Sequence, residues 1–433
     1  MSSLSLTEPA RAPLADVVVV RAIALGALIA YAVFTQLDAV ANKLSASLPL
    51  SITEMTLGAL IGSTFLLFLL PDPQLRGRGT MGVRLVLAML CWATFAWTMS
   101  EHVSEGRVYL TRLATNVVAA LCVLPIVSTP GRMRLLLWSI VGAGAVSAAI
   151  VIVEGKTGTR LVSTAVAATT AGFEGVARSA GGSDQNPTTA AQMLLVSVLA
   201  AIGLLLSGER QGRVILAGIA GMGVLALIET SARSAILGLG AGTGLAMLRF
   251  RRERFFPLMV VAGVVAAVGA IPFLPPTLID RFTAIGNFAQ DPTLFRRVTY
   301  LRIGLDLISQ SPLWGVGPGN YPLYYVTAAY RWMPGREPVP RELHNTYLDA
   351  ATEYGPIGFL LFAAALGVAL YGAWRAAGSP TPALARTGLT AGVMLAGLMV
   401  ACFFMPHKDL RYLWLVVAIA LQCGRLRAEE EAT

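Results

Sequence analysis

Apolar runs of about 17–25 residues, long enough to cross a hydrocarbon core as helices, recur along almost the whole chain. They lie near 17–36, 52–70, 83–99, 112–128, 133–153, 187–207, 214–230, 233–248, 256–274, 356–374, 387–406 and 411–424. The pattern predicts an all-α polytopic membrane protein of about twelve transmembrane helices. Composition agrees, since 55% of the 433 residues are hydrophobic and 13% charged, against about 25% charged in a soluble globular protein. A chain this poor in charge cannot cover its surface with it, so the partner it needs is a lipid bilayer.

The formal net charge is +9, but no basic patch interleaved with aromatics accompanies it, so no nucleic-acid partner is expected. The cations instead sort by loop. With the N-terminus cytoplasmic, one side collects Arg76, Arg78, Arg84, Arg132, Arg134, Arg210, Arg213, Arg249, Arg251, Arg252, Arg254, Arg375 and Arg386, with Arg425 and Arg427 in the tail. The opposite short loops hold Lys43, Arg107, Arg112, Arg233, Lys408 and Arg411. That asymmetry follows the positive-inside rule and places both termini in the cytoplasm. Two long outer loops, 154–186 and 275–355, carry further arginines, which long loops can do without altering orientation. The chain thus divides into 1–274 with nine helices, 275–355 as a large, partly helical outer loop, and 356–433 with three helices and a short solvated tail.

Several familiar chemistries are absent. Cys91, Cys122, Cys402 and Cys423 stand apart without a CxxC, which argues against a disulfide framework or a zinc site. The N-terminus lacks a signal-peptide cleavage pattern, so the first apolar run reads as a retained helix. The runs GLGAGTG (238–244) and VGAGAVSAA (141–149) read as small faces for close helix packing, and the first is no dinucleotide fingerprint because it follows no strand. Gly155-Lys156-Thr157 ends like a P-loop, but Ile150 stands where its first glycine belongs. Glu54, Glu154 and Glu229 lie near outer ends of spans, and no carboxylate relay crosses the span centres as an ion-coupled carrier would need.

The larger outer loop is where polar groups gather. In LFRRVTYLRIGLDLI, Leu294, Val298, Leu301, Leu305 and Ile308 share one helical face, with Arg297 flanking it and Arg296 almost opposite. SPLWGVGPGNY brings Gly315, Gly317 and Gly319 around Pro318, a turn or backbone pocket. HNTYLDAATEYGPIGF then begins at His344, one of three histidines with His102 and His407. His102 and His407 read as structural. Glu353 is a possible base, but its place by a helix start suits an orienting role.

The spacing His344-Asn345, nine residues, Gly355, two residues, Gly358 resembles the signature of the O-antigen ligase family, which also embraces O-antigen polymerases and some protein O-oligosaccharyltransferases. Arg297, the amphipathic stretch, Pro312 and GVGPGNY resemble that family's preceding segment. TSARSAIL sets Arg233 like its Ser-Arg, with Ala232 interrupting the dipeptide. ARSAGGSDQNPTTAA resembles an earlier element around Arg178, with Asn186-Pro187 in reversed order. The resemblance implies an inverting glycosyltransferase, without metal or cofactor, in the periplasm of a Gram-negative inner membrane. Its donor would be an undecaprenyl-diphosphate-linked glycan and its acceptor a lipid A-core sugar. His344 would be the catalytic base, with Arg297 and Arg233 catalytic on the diphosphate. Arg178, Asn345, Gly317, Gly319 and Arg296 would contact substrate. No Asp-x-Asp, the usual metal site of nucleotide-sugar transferases, occurs. A polymerase using the same donor is the alternative, and a polysaccharide exporter or flippase the alternative from another class.

Overall fold

The computed structural model describes residues 14–70, 80–162, 178–183, 186–274, 278–279, 283 and 292–432. Parts of both expected long loops, including 163–177 and 284–291, lie outside the described residues. In chain order the helices are α1 (Leu14–Gln36), α2 (Asp38–Leu44), α3 (Ile52–Leu69), α4 (Met81–Thr98), α5 (Val103–Leu121), α6 (Val123–Ile126), α7 (Pro130–Thr157) and α8 (Pro187–Leu206). They continue as α9 (Arg213–Glu229), α10 (Arg233–Arg249), α11 (Phe256–Ala270), α12 (Pro292–Gln310), α13 (Tyr321–Tyr325), α14 (Thr346–Ala377), α15 (Pro382–Ala401) and α16 (Arg411–Glu431). A helix stands over each of the apolar runs. Among the described residues, 8 helices are long and apolar enough to cross a membrane by length and composition. The helices α9 and α10 have 17 residues each, about 25 Å at 1.5 Å per residue, just short of a hydrocarbon core of about 30 Å.

Local chemistry sets the helix ends. Ser51 and Glu54 form a capping box that opens α3, and Thr129 and Asn186 cap α7 and α8 ahead of a proline at the first helical position. Such caps satisfy backbone N–H groups that the first turn leaves unpaired. The centre of the bundle is α8, buried along nearly its whole length and packed against α7, α9, α10 and α15. The glycine-rich run of α10 fits there as a packing face. A Cβ on Gly238 would stand 2.7 Å from the Gly397 carbonyl oxygen, and one on Gly242 2.8 Å from that of Val393.

The bundle has two distinct ends. At one, the Ala39 N–H donates to the Gly182 carbonyl, Arg178 donates to the Thr230 carbonyl, and the Thr346 hydroxyl donates to the Met405 carbonyl. Both long loop segments therefore share the end that holds His344. At the other end Arg134 pairs with Glu209 at 2.7 Å and Ser379 bonds Glu430. An open groove lined by Gly131, Arg134, Trp138 and Gln211 also lies at that second end, away from His344.

Two sequence expectations need correction. The helix expected from 356 begins at Thr346, because Asn345 caps it and the carboxylates of its first turns find a buried cation. It passes the expected boundary at 355/356 through one break at Gly355. The C-terminal tail is not a loose solvated segment: α16 runs to Glu431, held by Arg425–Glu429 at 2.8 Å, Arg427–Glu431 at 3.0 Å and Arg375–Glu431. The leucine face of α12 read from the sequence points away from the protein, with Leu301 and Leu305 45% and 53% exposed, as a helix resting on a membrane can hold it. The buried face is Tyr300, Ile303 and Leu307, which pack with Tyr321, Tyr325 and Leu343. The neighbouring tyrosines supply a partner for Tyr300 that a helical wheel of α12 alone does not contain.

Candidate active site

Among the described residues two non-glycine residues have positive φ, His344 at 57° and Ser231 at 51°. Such conformations cost about 1–3 kcal/mol and persist where the surroundings enforce them. Both lie in the constellation named by the sequence: one is the expected base, the other precedes Arg233 by two residues.

The Asn345 side chain accepts from Tyr347 N at 3.0 Å and Leu348 N at 3.1 Å, which starts α14. His344 is thereby fixed at the helix entrance. Its ring is half-buried and stacks on Tyr300, with centroids 5.2 Å apart and planes 21° apart. Its Nδ1 lies 2.6 Å from the Glu342 carbonyl oxygen. A carbonyl can only accept, so Nδ1 carries the proton and Nε2 keeps its lone pair. Burial lowers the His344 pKa to about 4; the Glu342 carbonyl raises it, and the charges of Arg297, Arg341 and Arg296 lower it further. The imidazole is neutral at physiological pH.

The arginines divide by environment. The Arg297 guanidinium lies over the Phe404 ring, 5.8 Å from its centroid, between α12 and the loop after α15. Arg296 points elsewhere, paired with Glu337 at 2.9 Å, and Glu337 is shared with Arg341 at 2.7 Å. Arg178 is buried and donates to the Thr230 carbonyl at 3.3 Å and the Thr188 hydroxyl at 3.1 Å. It therefore holds the turn that leads into Arg233, the first residue of α10.

The glycine turn is tied to Glu353. Gly317 N donates to the Glu353 carbonyl at 2.9 Å, and Gly319 N to the Glu353 carboxylate at 2.6 Å. Both have positive φ, and a Cβ would run into Ser100 at Gly317 and Tyr109 at Gly319. Their amides are spent on Glu353, and the turn packs on the α4–α5 connection. Glu353 also accepts from Tyr321 N at 3.2 Å and pairs with Lys408 at 2.8 Å. With three partners on its carboxylate and 1% exposure, it is placed to orient the turn.

Residues 218–363 match the O-antigen ligase family. The O-antigen ligase segment runs from α9 to midway along α14, and so contains Arg233, Arg297, His344 and both motif glycines, while Arg178 lies before it. No curated protein matches the chain. Over that segment the chain is similar to the O-antigen ligase family, and the apolar helices around it are those of a multi-pass membrane protein.

Sequence reasoning passed over the loop 402–410. Lys408 is 4% exposed and pairs with Asp349 and Glu353, one helical turn apart at the start of α14. Burial alone would lower its pKa, but the two carboxylates carry it well above its usual value. The i, i+4 carboxylates of α14 were the available signal, though their partner lies 55 residues beyond Glu353 in the chain. Among the described residues no group of three or more His, Cys, Asp or Glu could hold a metal ion.

Proposed function

We propose that this protein is an O-antigen ligase, an inverting glycosyltransferase that moves a glycan from undecaprenyl diphosphate to a lipid A-core sugar. The observation that carries the reading is the fixed tautomer of His344. Its Nδ1–H is held by the Glu342 carbonyl, Nε2 is left to accept, and Arg297 acts on it electrostatically.

In this reaction an acceptor hydroxyl attacks the anomeric carbon from the face opposite the diphosphate. Its proton passes to His344 Nε2 as the new C–O bond forms. The anomeric C–O bond to phosphate breaks, its electron pair stays on the diphosphate, and attack from the opposite face inverts the configuration. Arg297 and Arg233 meet the charge that grows on the leaving group, a task suited to planar guanidinium donors. The donor bond is already activated, so no nucleotide is required, and the guanidinium groups do the work a metal ion would otherwise do. Arg178, Arg296, Asn345, Gly317 and Gly319 act behind this layer, shaping the turns that present it.

The wider arrangement reads as about twelve spans, with the His344 end facing the periplasm of an inner membrane and both termini cytoplasmic. Support comes from the arginine-rich short loops of the opposite end. A polymerase would hold two diphosphates and gain from a second cationic cluster. Arg331, Arg336 and Arg341 could furnish one, but they could equally meet the phosphates of a lipid A-core, so charge does not decide. The ligase is favoured because the run from Arg297 through Gly358 looks most like that family.

The test is a purified system of donor, lipid A-core and this chain, without ATP or divalent metal. The expected product is glycan on the lipid A-core, reduced about 10²–10⁴-fold by His344→Ala. Lengthened glycan still on undecaprenyl diphosphate would establish the polymerase. Transport of glycan that survives His344→Ala, with no transfer product, would establish an exporter or flippase.

A further inference from the structure

The loop 402–410 enters no motif, yet three successive side chains in it are buried: His407, Lys408 and Asp409, with exposures of 0%, 4% and 8%. Each reaches a different part of the bundle. Asp409 pairs with Arg112 of α5 at 3.1 Å, Lys408 holds the first turns of α14, and His407 turns toward α8 and α10.

The partners of His407 fix its chemistry. Gln192 Nε2 lies 2.7 Å from the Ser234 hydroxyl and 3.4 Å from the Ala401 carbonyl, an oxygen that can only accept. The amide nitrogen of Gln192 is therefore turned to these groups, and its Oε1 faces His407 Nε2. An amide oxygen also only accepts, so Nε2 carries the proton. Nδ1 is then the acceptor, and the Tyr412 hydroxyl stands 2.8 Å away to donate to it. Both nitrogens are committed, which leaves His407 no proton to exchange.

The backbone of the same residue faces the other way. His407 N–H donates to the Thr346 hydroxyl at 2.9 Å, and Thr346 N donates to the Cys402 carbonyl at 2.8 Å. Thr346 follows the His344-Asn345 pair, and Ser234 follows Arg233. A continuous hydrogen-bonded path thus joins the residue beside Arg233 to the residue that opens the His344 helix, and His407 is its middle member.

We propose that His407 is a positioning residue for glycosyl transfer, setting the start of the Arg233 helix against the start of the His344 helix. This rests on the functional reading above, in which the two residues act on opposite sides of one breaking bond. A displacement of about 1 Å between such groups can cost about 100-fold in rate. A side chain that donates at the Nε2 position completes the path without a charge.

The experiment compares His407→Gln with His407→Asn in the full-length protein, purified in detergent and supplied with lipid-linked donor and lipid A-core. A glutamine amide reaches Gln192 from position 407, whereas an asparagine, one bond shorter, reaches only toward Tyr412. Folding of both is followed by thermal transition and by elution profile. The expected result is that Asn lowers kcat by about 100-fold while Gln stays within about tenfold of wild type, at matched folding. Wild-type rates in both variants would overturn the proposal, as would equal losses in both, whether or not folding suffers. Absence of product from the wild-type protein would instead overturn the functional reading on which the proposal rests.

Discussion

Replacing Gly355 with alanine adds one methyl group at the break in α14, where φ is 68° and ψ 176°. An L-residue held there costs about 1–3 kcal/mol. The new Cβ would stand 2.7 Å from the Leu313 carbonyl carbon and 3.0 Å from Gly315 N, where ordinary contact requires about 3.5 Å. Both obstacles are backbone, so no rotamer relieves them, and the 313–317 turn must retreat by about 1 Å. Retreat strains the bonds from Val316 N to the Thr352 carbonyl and from Gly317 N to the Glu353 carbonyl, both 2.9 Å, at about 1 kcal/mol each. The total is roughly 3–5 kcal/mol against stability. The turn carries Gly319 and Tyr321, whose amides meet Glu353, so its retreat also disturbs the support of the His344 helix. We expect Gly355→Ala to lower glycan transfer by about 100-fold and to lower the thermal transition in detergent by several degrees. Gly58→Ala, whose Cβ would meet nothing within 4 Å, is the control and should match wild type in both assays. If Gly355→Ala transferred glycan within about twofold of wild type at an unchanged transition, the motif glycine would need another explanation than this packing.

Other expectations follow from the same geometry. Arg297→Ala should cut transfer severely and Arg297→Lys only partly restore it, because a point charge lacks bidentate phosphate geometry; Arg296→Ala should be milder, and the reverse order, measured as initial rates, would refute the assignment. The acidic limb of kcat/KM should fall near pH 4–5, since the free base titrates near 4, and the kcat limb should lie higher because bound diphosphate offsets the neighbouring guanidinium charges. His344 and His407 both have lowered pKa values, so the unfolded chain binds more protons below about pH 6.5. Their contribution to stability is present above that pH and is lost as pH falls toward 4 and 3, which thermal transitions across pH 7 to 4 should register, more weakly in His407→Gln. Single cysteines at the exposed Thr159 and Gly335 in a Cys-free background should react with an impermeant thiol reagent in intact cells, and cysteines at Gly212 and Gly378 should not; the opposite pattern would invert the topology.

A helix stands over each apolar run because a bilayer imposes length and apolarity on each span independently of its neighbours. The motif around His344 was equally legible, since its glycine spacing is local. Tertiary partnership was not. The wheel of α12 ranked leucine above tyrosine, and the structure buried Tyr300 because Tyr321 and Tyr325 come to meet it. Glu353 looked like a candidate base until Lys408 and two backbone amides claimed it. His407 looked merely structural because nothing in a sequence says that Gln192 and Tyr412 converge on it.

The outward face of α12 has a practical consequence for anyone wishing to study the 292–345 segment by itself. One side of it presents Leu301, Leu305 and Leu313, and the other leans on Ser100, Tyr109 and Glu353 from the bundle. Excised, it would lose its floor and still offer an oily roof, and it would aggregate before it could bind anything. The segment is an annex without walls of its own, so grafts, truncations and soluble surrogates should take the α4–α5 connection and the start of α14 along with it.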